Sequence, residues 1–261
     1  MDKDLKLEEK LKKIRELLKN SKAAYALTGA GISTESGIQD FRSPKSGLWQ
    51  KANPEEVSSI RAFEEKPAMF YQFWYERYKT LKKASPNITH YFLAELEKKG
   101  LIKGIITQNI DSLHQRASSI KVLECHGSFK YGYCYRCKKK YLMKDVFEKY
   151  EKTGDFTCEE CKSPIKPNVV LFGEALTADF QEAWEKIEKE CDLLLVLGTS
   201  LLVYPVADLV SIAKAKKAKL IIINRDLTPY DDDADVVIHN ELHKVISKLD
   251  TLVFQERAVK H

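Results

Sequence analysis

A chain of 261 residues with 44% hydrophobic and 31% charged residues describes an ordinary globular protein, long enough for one large core with a smaller domain attached. Its 43 Lys and Arg are interspersed with 38 Asp and Glu, so the net charge of +5 reads as a mixed solvated surface and argues against nucleic acid as a partner. No run approaches the roughly 18 apolar residues of a membrane span, and the N-terminus lacks the apolar core of a signal peptide, so the expectation is a cytoplasmic protein with no membrane partner.

The N-terminal stretch places Leu7, Leu11, Ile14 and Leu18 on one face of an amphipathic helix. Residues 23–28 (AAYALT) then read as a buried strand running into Thr28, Gly29, Ala30, Gly31, Ile32 and Ser33. A Gly-x-Gly turn after a buried strand lets backbone N–H groups approach a pyrophosphate. A tight turn without a ligand is a comparable reading, because the acidic residue expected about 20 positions on is not evident. In the loop that follows, Phe41 would cover a flat ring or pack, and Arg42 would meet phosphate or brace the loop.

Residues 43–85 depart from the strand–helix alternation, beginning as a Ser/Pro/Gly loop and continuing as the aromatic-rich helical stretch AMFYQFWYERY. A helix over 89–99 closes at Gly100, and a strand over 102–107 ends in Gln108, Asn109, Ile110 and Asp111. Amides and a carboxylate at such a strand end face the ligand crevice of a doubly wound sheet.

The stretch VLECHGSFKYGYCYRC at 122–137 raises the role of His126, which lies beside Cys125 and just ahead of a Cys-x-x-Cys. The histidine reads as a metal ligand, half of a Cys–His nucleophilic pair, a general base or a core residue. Cys134 and Cys137 are followed after 20 residues by Cys158 and Cys161. That spacing is a zinc ribbon, in which two knuckles supply two thiolates each. A closed four-thiolate site is structural and makes His126 a redundant fifth ligand. In an extended segment neighbouring side chains point to opposite faces, which also disfavours the dyad.

Shorter strand candidates lie at 169–172 and 236–238, and fuller ones at 193–197 and 220–223, with a helix over 207–217. Gly198, Thr199 and Ser200 follow one of these strands; Asn224, Arg225 and Asp226 follow another. Apolar strands alternating with helices imply an α/β fold with a doubly wound parallel sheet of Rossmann type. The expected division is a Rossmann-type α/β domain from 1–43, 86–128 and 168–261. The small domain then combines a helical module at 44–85 with a zinc-ribbon module at 129–167.

The residues GAGIS (29–33), GIQDFR (37–42), TQNID (107–111), HG (126–127), the paired Cys-x-x-Cys, PNVVLFGE (167–174), GTSLLVYP (198–205) and IN (223–224) together resemble the sirtuin family of NAD-dependent protein-lysine deacylases. The resemblance covers roughly residues 20–245. It implies NAD+ as co-substrate, one structural Zn2+ and acetylated-lysine proteins as partners, and it leaves the oligomeric state open. It assigns Ala30, Ser33, Thr34, Phe41 and Arg42 to the cofactor loop, and Gln108, Asn109, Ile110 and Asp111 to the nicotinamide and its ribose. Thr199, Ser200 and Asn224 fall on the phosphate and adenosine side. Val169, Val170, Leu171 and Phe172 correspond to the segment that pairs with the peptide. His126 matches the general base, with Asn109 beside it in the catalytic set. The implied reaction sends the acetyl oxygen to the nicotinamide ribose, releases nicotinamide and yields deacetylated lysine and O-acetyl-ADP-ribose. A histidine with an ordinary pKa near 6.5 suits the proton transfer involved.

Four positions depart from the family pattern: Gln39 for proline, Ser43 for glycine, Ser118 for glycine and Cys125 for leucine. Sirtuins that prefer succinyl or malonyl groups carry a Tyr-x-x-Arg pair, and here Trp74 stands where that arginine would follow Tyr71, so neutral acyl groups are expected. The alternatives are protein mono-ADP-ribosyl transfer at the same NAD site and a non-enzymatic zinc-ribbon nucleic-acid or scaffold protein.

Overall fold

The structure, a computed structural model, describes residues 2–40 and 53–254. Helix α1 (Asp2–Asn20) buries Leu11, Ile14 and Leu18, with Leu7 packed at the edge of the same core. Strand β1 (Ala24–Thr28) is buried at every position and turns into a 3-10 helix, Ala30–Ser36. Next come α2 (Pro54–Val57), α3 (Ile60–Glu65) and the long α4 (Pro67–Lys83). Helix α5 (Ile88–Lys98) starts where the Asn87 side chain accepts the Thr89 N–H, and the chain leaves it through Gly100 at φ +70.

The middle of the chain holds β2 (Gly104–Thr107), α6 (Leu113–Arg116), β3 (Val122–Glu124), β4 (Gly127–Cys134), β5 (Lys140–Leu142), α7 (Met143–Thr153) and β6 (Ile165–Val169). The remainder is α8 (Ala178–Glu190), β7 (Leu193–Leu197), α9 (Asp208–Ala215), β8 (Lys219–Ile223), β9 (Val236–Ile238) and α10 (Leu242–Phe254).

Six strands form one parallel sheet in the order β3-β2-β1-β7-β8-β9. Strand order runs outward in opposite directions from the β1–β7 pair. That pair is the switch point where the helices change face and a crevice opens at the carboxyl ends. Apolar side chains leave both faces: one core gathers α1, α5 and α10, and the other α8 and α9. A separate antiparallel sheet, β5-β4-β6, shares a third core with α4 and α7. In that core Tyr71 stacks on Phe156 at 4.1 Å and Trp74 on Phe129 at 5.2 Å. Among the described residues no helix is long and apolar enough to cross a membrane.

Two sequence expectations need correction. The candidate strand at 169–172 is displaced upstream to β6, which pairs with β4 in the antiparallel sheet and takes no part in the parallel one. Its period is two, with Ile165, Pro167 and Val169 turned inward and the apolar run beyond them lining a cavity. The helix expected over 207–217 stops at Ala215, where the chain turns through Lys217 at φ +62. Ser118, one of the family departures, sits at φ +76, a left-handed conformation that glycine adopts without strain.

Candidate active site

The carboxyl ends of β1, β2, β7 and β8 open onto one cavity of about 1240 Å3. Its floor is the meeting of two turns. Gly31 N–H donates to Gly198 O at 2.8 Å and Gly29 N–H to Leu197 O at 3.2 Å. A Cβ on Gly31 would lie 2.8 Å from Gly198 O, and one on Gly198, at φ +60, would lie 2.5 Å from Ile32 N. These glycines therefore let the β1 and β7 ends pack together. The N–H groups of Gly29 and Gly31, expected at a pyrophosphate, are committed to the neighbouring strand end, and Gly29 does not line the cavity. Ala30, Gly31, Ser33 and Thr34 do line it. Phe41, Arg42 and Ser43 lie outside the described residues.

The end of β2 brings Gln108, Asn109, Ile110 and Asp111 to the same wall. Asn109 Nδ2 donates to Gly29 O and to Ser33 Oγ, both at 3.1 Å, which settles the amide orientation and leaves Oδ1 as the acceptor for a ligand. Ser33 Oγ in turn donates to Asp111 Oδ2 at 2.7 Å, and Leu113 N–H donates to Oδ1 at 2.9 Å. Burial pushes the Asp111 carboxyl above the usual range, while those two donors and the Arg77 guanidinium pull it back. Gln108 Nε2 donates to Thr199 Oγ1 at 3.0 Å, joining the β2 and β7 ends.

His126 follows β3 and lines the cavity, its Nδ1 2.9 Å from Gln108 O. Its own carbonyl accepts Val170 N–H at 2.9 Å. Val169, Val170, Leu171 and Phe172 all border the cavity on that side. Phe172 stands half exposed at the rim and bridges to Ser59 ahead of α3. Cys125 points the other way, fully buried among Tyr25, Leu27, Ile106 and the α8 and α9 side chains. Burial pushes its thiol up to about 12, so it holds no thiolate at neutral pH.

Gly198, Thr199, Ser200, Asn224, Arg225 and Asp226 complete the far wall. Arg225 and Asp226 pair with each other at 2.8 Å on the rim. Sequence reasoning did not single out the α4 contribution of Arg77 or the α10-side group of Asn240, Glu241, Leu242 and His243. Arg77 is almost fully buried on the cavity wall, with Nη1 3.5 Å from Gln39 O. Burial lowers its pKa to about 10, still leaving it cationic at neutral pH. It had carried no signal beyond its position on an aromatic helix. Tyr71, by contrast, is held in the aromatic core with its hydroxyl on Ile165 O, away from the cavity.

Outside the cavity, the four sulfurs of Cys134, Cys137, Cys158 and Cys161 lie within 4.8 Å of one another, and none is in a disulfide. Cys134 Sγ is 3.3 Å from Cys161 Sγ, and Cys137 Sγ is 3.6 Å from Cys158 Sγ. A tetrahedral zinc at about 2.3 Å from each sulfur sets its ligands about 3.8 Å apart, so the cluster fits one structural Zn2+ with no open position. The two knuckles repeat each other: Cys134 N–H donates to Lys139 O and Cys158 N–H to Ser163 O, both at 2.8 Å. Lys138 and Lys162, each just past a knuckle, take φ +62 and +58.

Hydroxyls, amides and two guanidiniums around a floor of glycine turns suit a dinucleotide, with the 169–172 edge beside it for an extended peptide. Comparison with known proteins agrees with that reading. A family model described as the Sir2 family matches residues 29–205. The NAD-dependent protein deacetylase of Sulfolobus acidocaldarius is 44% identical over 250 residues, covering 94% of this chain and 98% of that protein. That of Caldivirga maquilingensis is 48% identical over 224 residues, covering 85% and 86%. A solved structure of Sir2 with a p53 peptide and NAD+ superposes with a TM-score of 0.85 at 42% identity, covering 94% of this chain and 98% of that one. With the family model matched across both the cavity residues and the cysteine cluster, the chain belongs to the Sir2 family.

Proposed function

We infer that the protein is an NAD-dependent protein-lysine deacetylase acting on acetylated-lysine proteins or peptides. The observation that carries this reading is the convergence of six segments on one cavity: the glycine turn, the β2 end, His126, the 169–172 edge, the β7 end and the β8 end. NAD+ supplies an electrophilic ribose carbon whose leaving group, nicotinamide, departs as a neutral molecule. Gln108, Asn109, Ile110 and Asp111 surround the nicotinamide and its ribose, Ala30, Ser33 and Thr34 belong to the cofactor loop, and Thr199, Ser200 and Asn224 hold the phosphates and adenosine. The 169–172 edge aligns the peptide so that the acetyl oxygen reaches the ribose carbon. His126 accepts the proton of a ribose hydroxyl, one water is consumed in releasing the lysine amine, and the products are nicotinamide, deacetylated lysine and O-acetyl-ADP-ribose.

We assign the NAD-binding domain to 1–43, 86–128 and 168–261, and the small domain to 44–85 and 129–167. The parallel and antiparallel sheets support this division. Cytoplasmic location is part of the same reading, supported by six cysteines without a disulfide. Neutral acyl groups are the preferred substrates, because Tyr71 is withdrawn into the aromatic core and Trp74 occupies the cavity wall one turn further on. The test is NAD-dependent turnover of matched acetyl- and succinyl-lysine peptides. Acetyl turnover that requires NAD supports the reading; faster desuccinylation overturns the acyl preference, and NAD-independent turnover overturns the reading itself.

A further inference from the structure

We propose that His114, Thr28 and Thr107 form a buried positioning relay that sets Asn109 for its contact with the NAD ribose. The proposal rests on the deacetylase reading for the identity of that ligand. Thr28 and Thr107 are the last residues of adjacent parallel strands and face each other in register. Both are buried, and their hydroxyl oxygens lie 2.9 Å apart. Thr28 Oγ1 is also 3.0 Å from His114 Nε2, and Thr107 Oγ1 accepts the Asn109 N–H at 3.1 Å. Asn109 is thus gripped from behind through its backbone and from the side through Nδ2, which fixes where Oδ1 stands.

The line continues away from the cavity. The His114 and His90 rings meet edge to face at 5.0 Å, and His90 Nδ1 accepts the Asn87 N–H at 3.3 Å. The Asn87 side chain donates to Ile32 O at 2.7 Å and to Ser36 Oγ at 3.0 Å, so it holds the 3-10 helix behind the glycine turn. Buried polar contacts therefore flank the turn on both sides.

A purely structural role explains this arrangement poorly. Valine at Thr28 with an apolar ring at His114 would fill the same space without desolvated polar atoms, whereas Thr107 is needed as the acceptor of the buried Asn109 N–H. As it stands, His114 Nδ1 and His90 Nε2 make no hydrogen bond among the described residues, a burden of about 1–3 kcal/mol for each such atom. Burial keeps both imidazoles neutral, lowering His90 to about 4 and His114 to about 3, so the relay does not titrate near neutral pH.

The experiment compares Thr107→Val, Thr107→Ser and His114→Leu with the unaltered enzyme. NAD affinity is measured by calorimetry without peptide, and the KM values for NAD and acetyl-peptide are measured separately. Thr107→Val and His114→Leu are expected to weaken NAD roughly tenfold, about 1.4 kcal/mol, with the peptide KM unchanged and Thr107→Ser close to the unaltered enzyme. Unchanged NAD affinity in a folded Thr107→Val protein overturns the relay, as does equal weakening in Thr107→Ser. Calorimetry reads the relay even if no deacetylation is observed, so the two readings fail separately.

Discussion

The Nδ1 atom of His126 lies 2.9 Å from the backbone carbonyl oxygen of Gln108, and that contact selects the tautomer of the ring. A carbonyl oxygen only accepts, so Nδ1 carries the hydrogen and the neutral ring presents its lone pair at Nε2. Gln108 belongs to the segment we assign to the nicotinamide ribose, so that segment also orients the histidine we assign as the base. His126→Ala is expected to lower steady-state deacetylation by about 10²–10⁴-fold, the usual contribution of a general base. Single-turnover nicotinamide release should survive better, because the base acts after it. Wild-type turnover in the variant would remove His126 from that role.

Cys125 offers the complementary test. Its fully buried thiol, pushed up to about 12, packs on the opposite side of the segment from His126. Cys125→Ala should retain acetyl-lysine turnover within about twofold and lose roughly 1–2 kcal/mol of stability to the cavity left behind. A loss of turnover comparable to that of His126→Ala, with the protein folded, would revive a Cys–His nucleophilic pair.

Much of this was legible because the parallel strands are apolar at nearly every position, and the helices between them carry a 3.6-residue pattern. The cysteine spacing marked the ribbon for a similar reason: zinc geometry restricts where ligands fall along a chain. Strand β4 was harder to read, since Lys130, Tyr131 and Tyr133 mix charge with aromatic character, and of its two partner strands only β5 is near in sequence while β6 lies more than 30 residues on. The glycine turn is legible as a turn, but the partner of its N–H groups is not, because the β7 end that takes them is more than 160 residues away. Arg77 became visible only when α4 was seen against Asp111 and Gln39.

The zinc cluster and the cavity share a core. Cys134 and Cys158 pack with Met143, Phe147 and Tyr71, and Trp74 of the cavity wall stacks on Phe129 of β4. Removing zinc with a chelator should therefore abolish turnover as well as loosen the ribbon, with tryptophan fluorescence shifting and zinc restoring both. Full activity in metal-free protein would show that the ribbon stands without its ion.

Gly127 joins His126 to β4 at φ +76, and a Cβ there would lie 2.2 Å from Asn168 O. The obstructing atom is backbone, so β6 has to move, and with it the Val170 N–H that binds His126 O. Gly127→Ala should cost more than the roughly 1–2 kcal/mol of the left-handed conformation alone, read as a lower urea midpoint. Turnover should fall with it. A variant as stable and as active as the original would mean that β6 yields freely.

The buried imidazoles predict how the fold responds to acid. His90 falls from its ordinary 6.5 to about 4 through burial, and His114 to about 3 through burial and then through repulsion from His90. Both folded-state values are depressed, so the unfolded chain takes up protons first. The stability they contribute is present above pH 6.5 and is lost as pH falls toward 4 and below. At about 1.4 kcal/mol per unit, the pair accounts for on the order of 5 kcal/mol across that window. Asp111 runs the other way: its raised folded-state pKa favours the native state in acid and does so less as pH rises through it. Urea midpoints measured from pH 7.5 to 4.5 in excess zinc should therefore drop steeply for the unaltered protein. They should fall much less for a variant carrying His90→Gln and His114→Leu. Because the variant keeps all four ligand cysteines, thiolate protonation affects both proteins alike, and the difference between the curves isolates the imidazoles. Parallel curves would mean that the two rings take up protons as readily in the native state as in the unfolded chain.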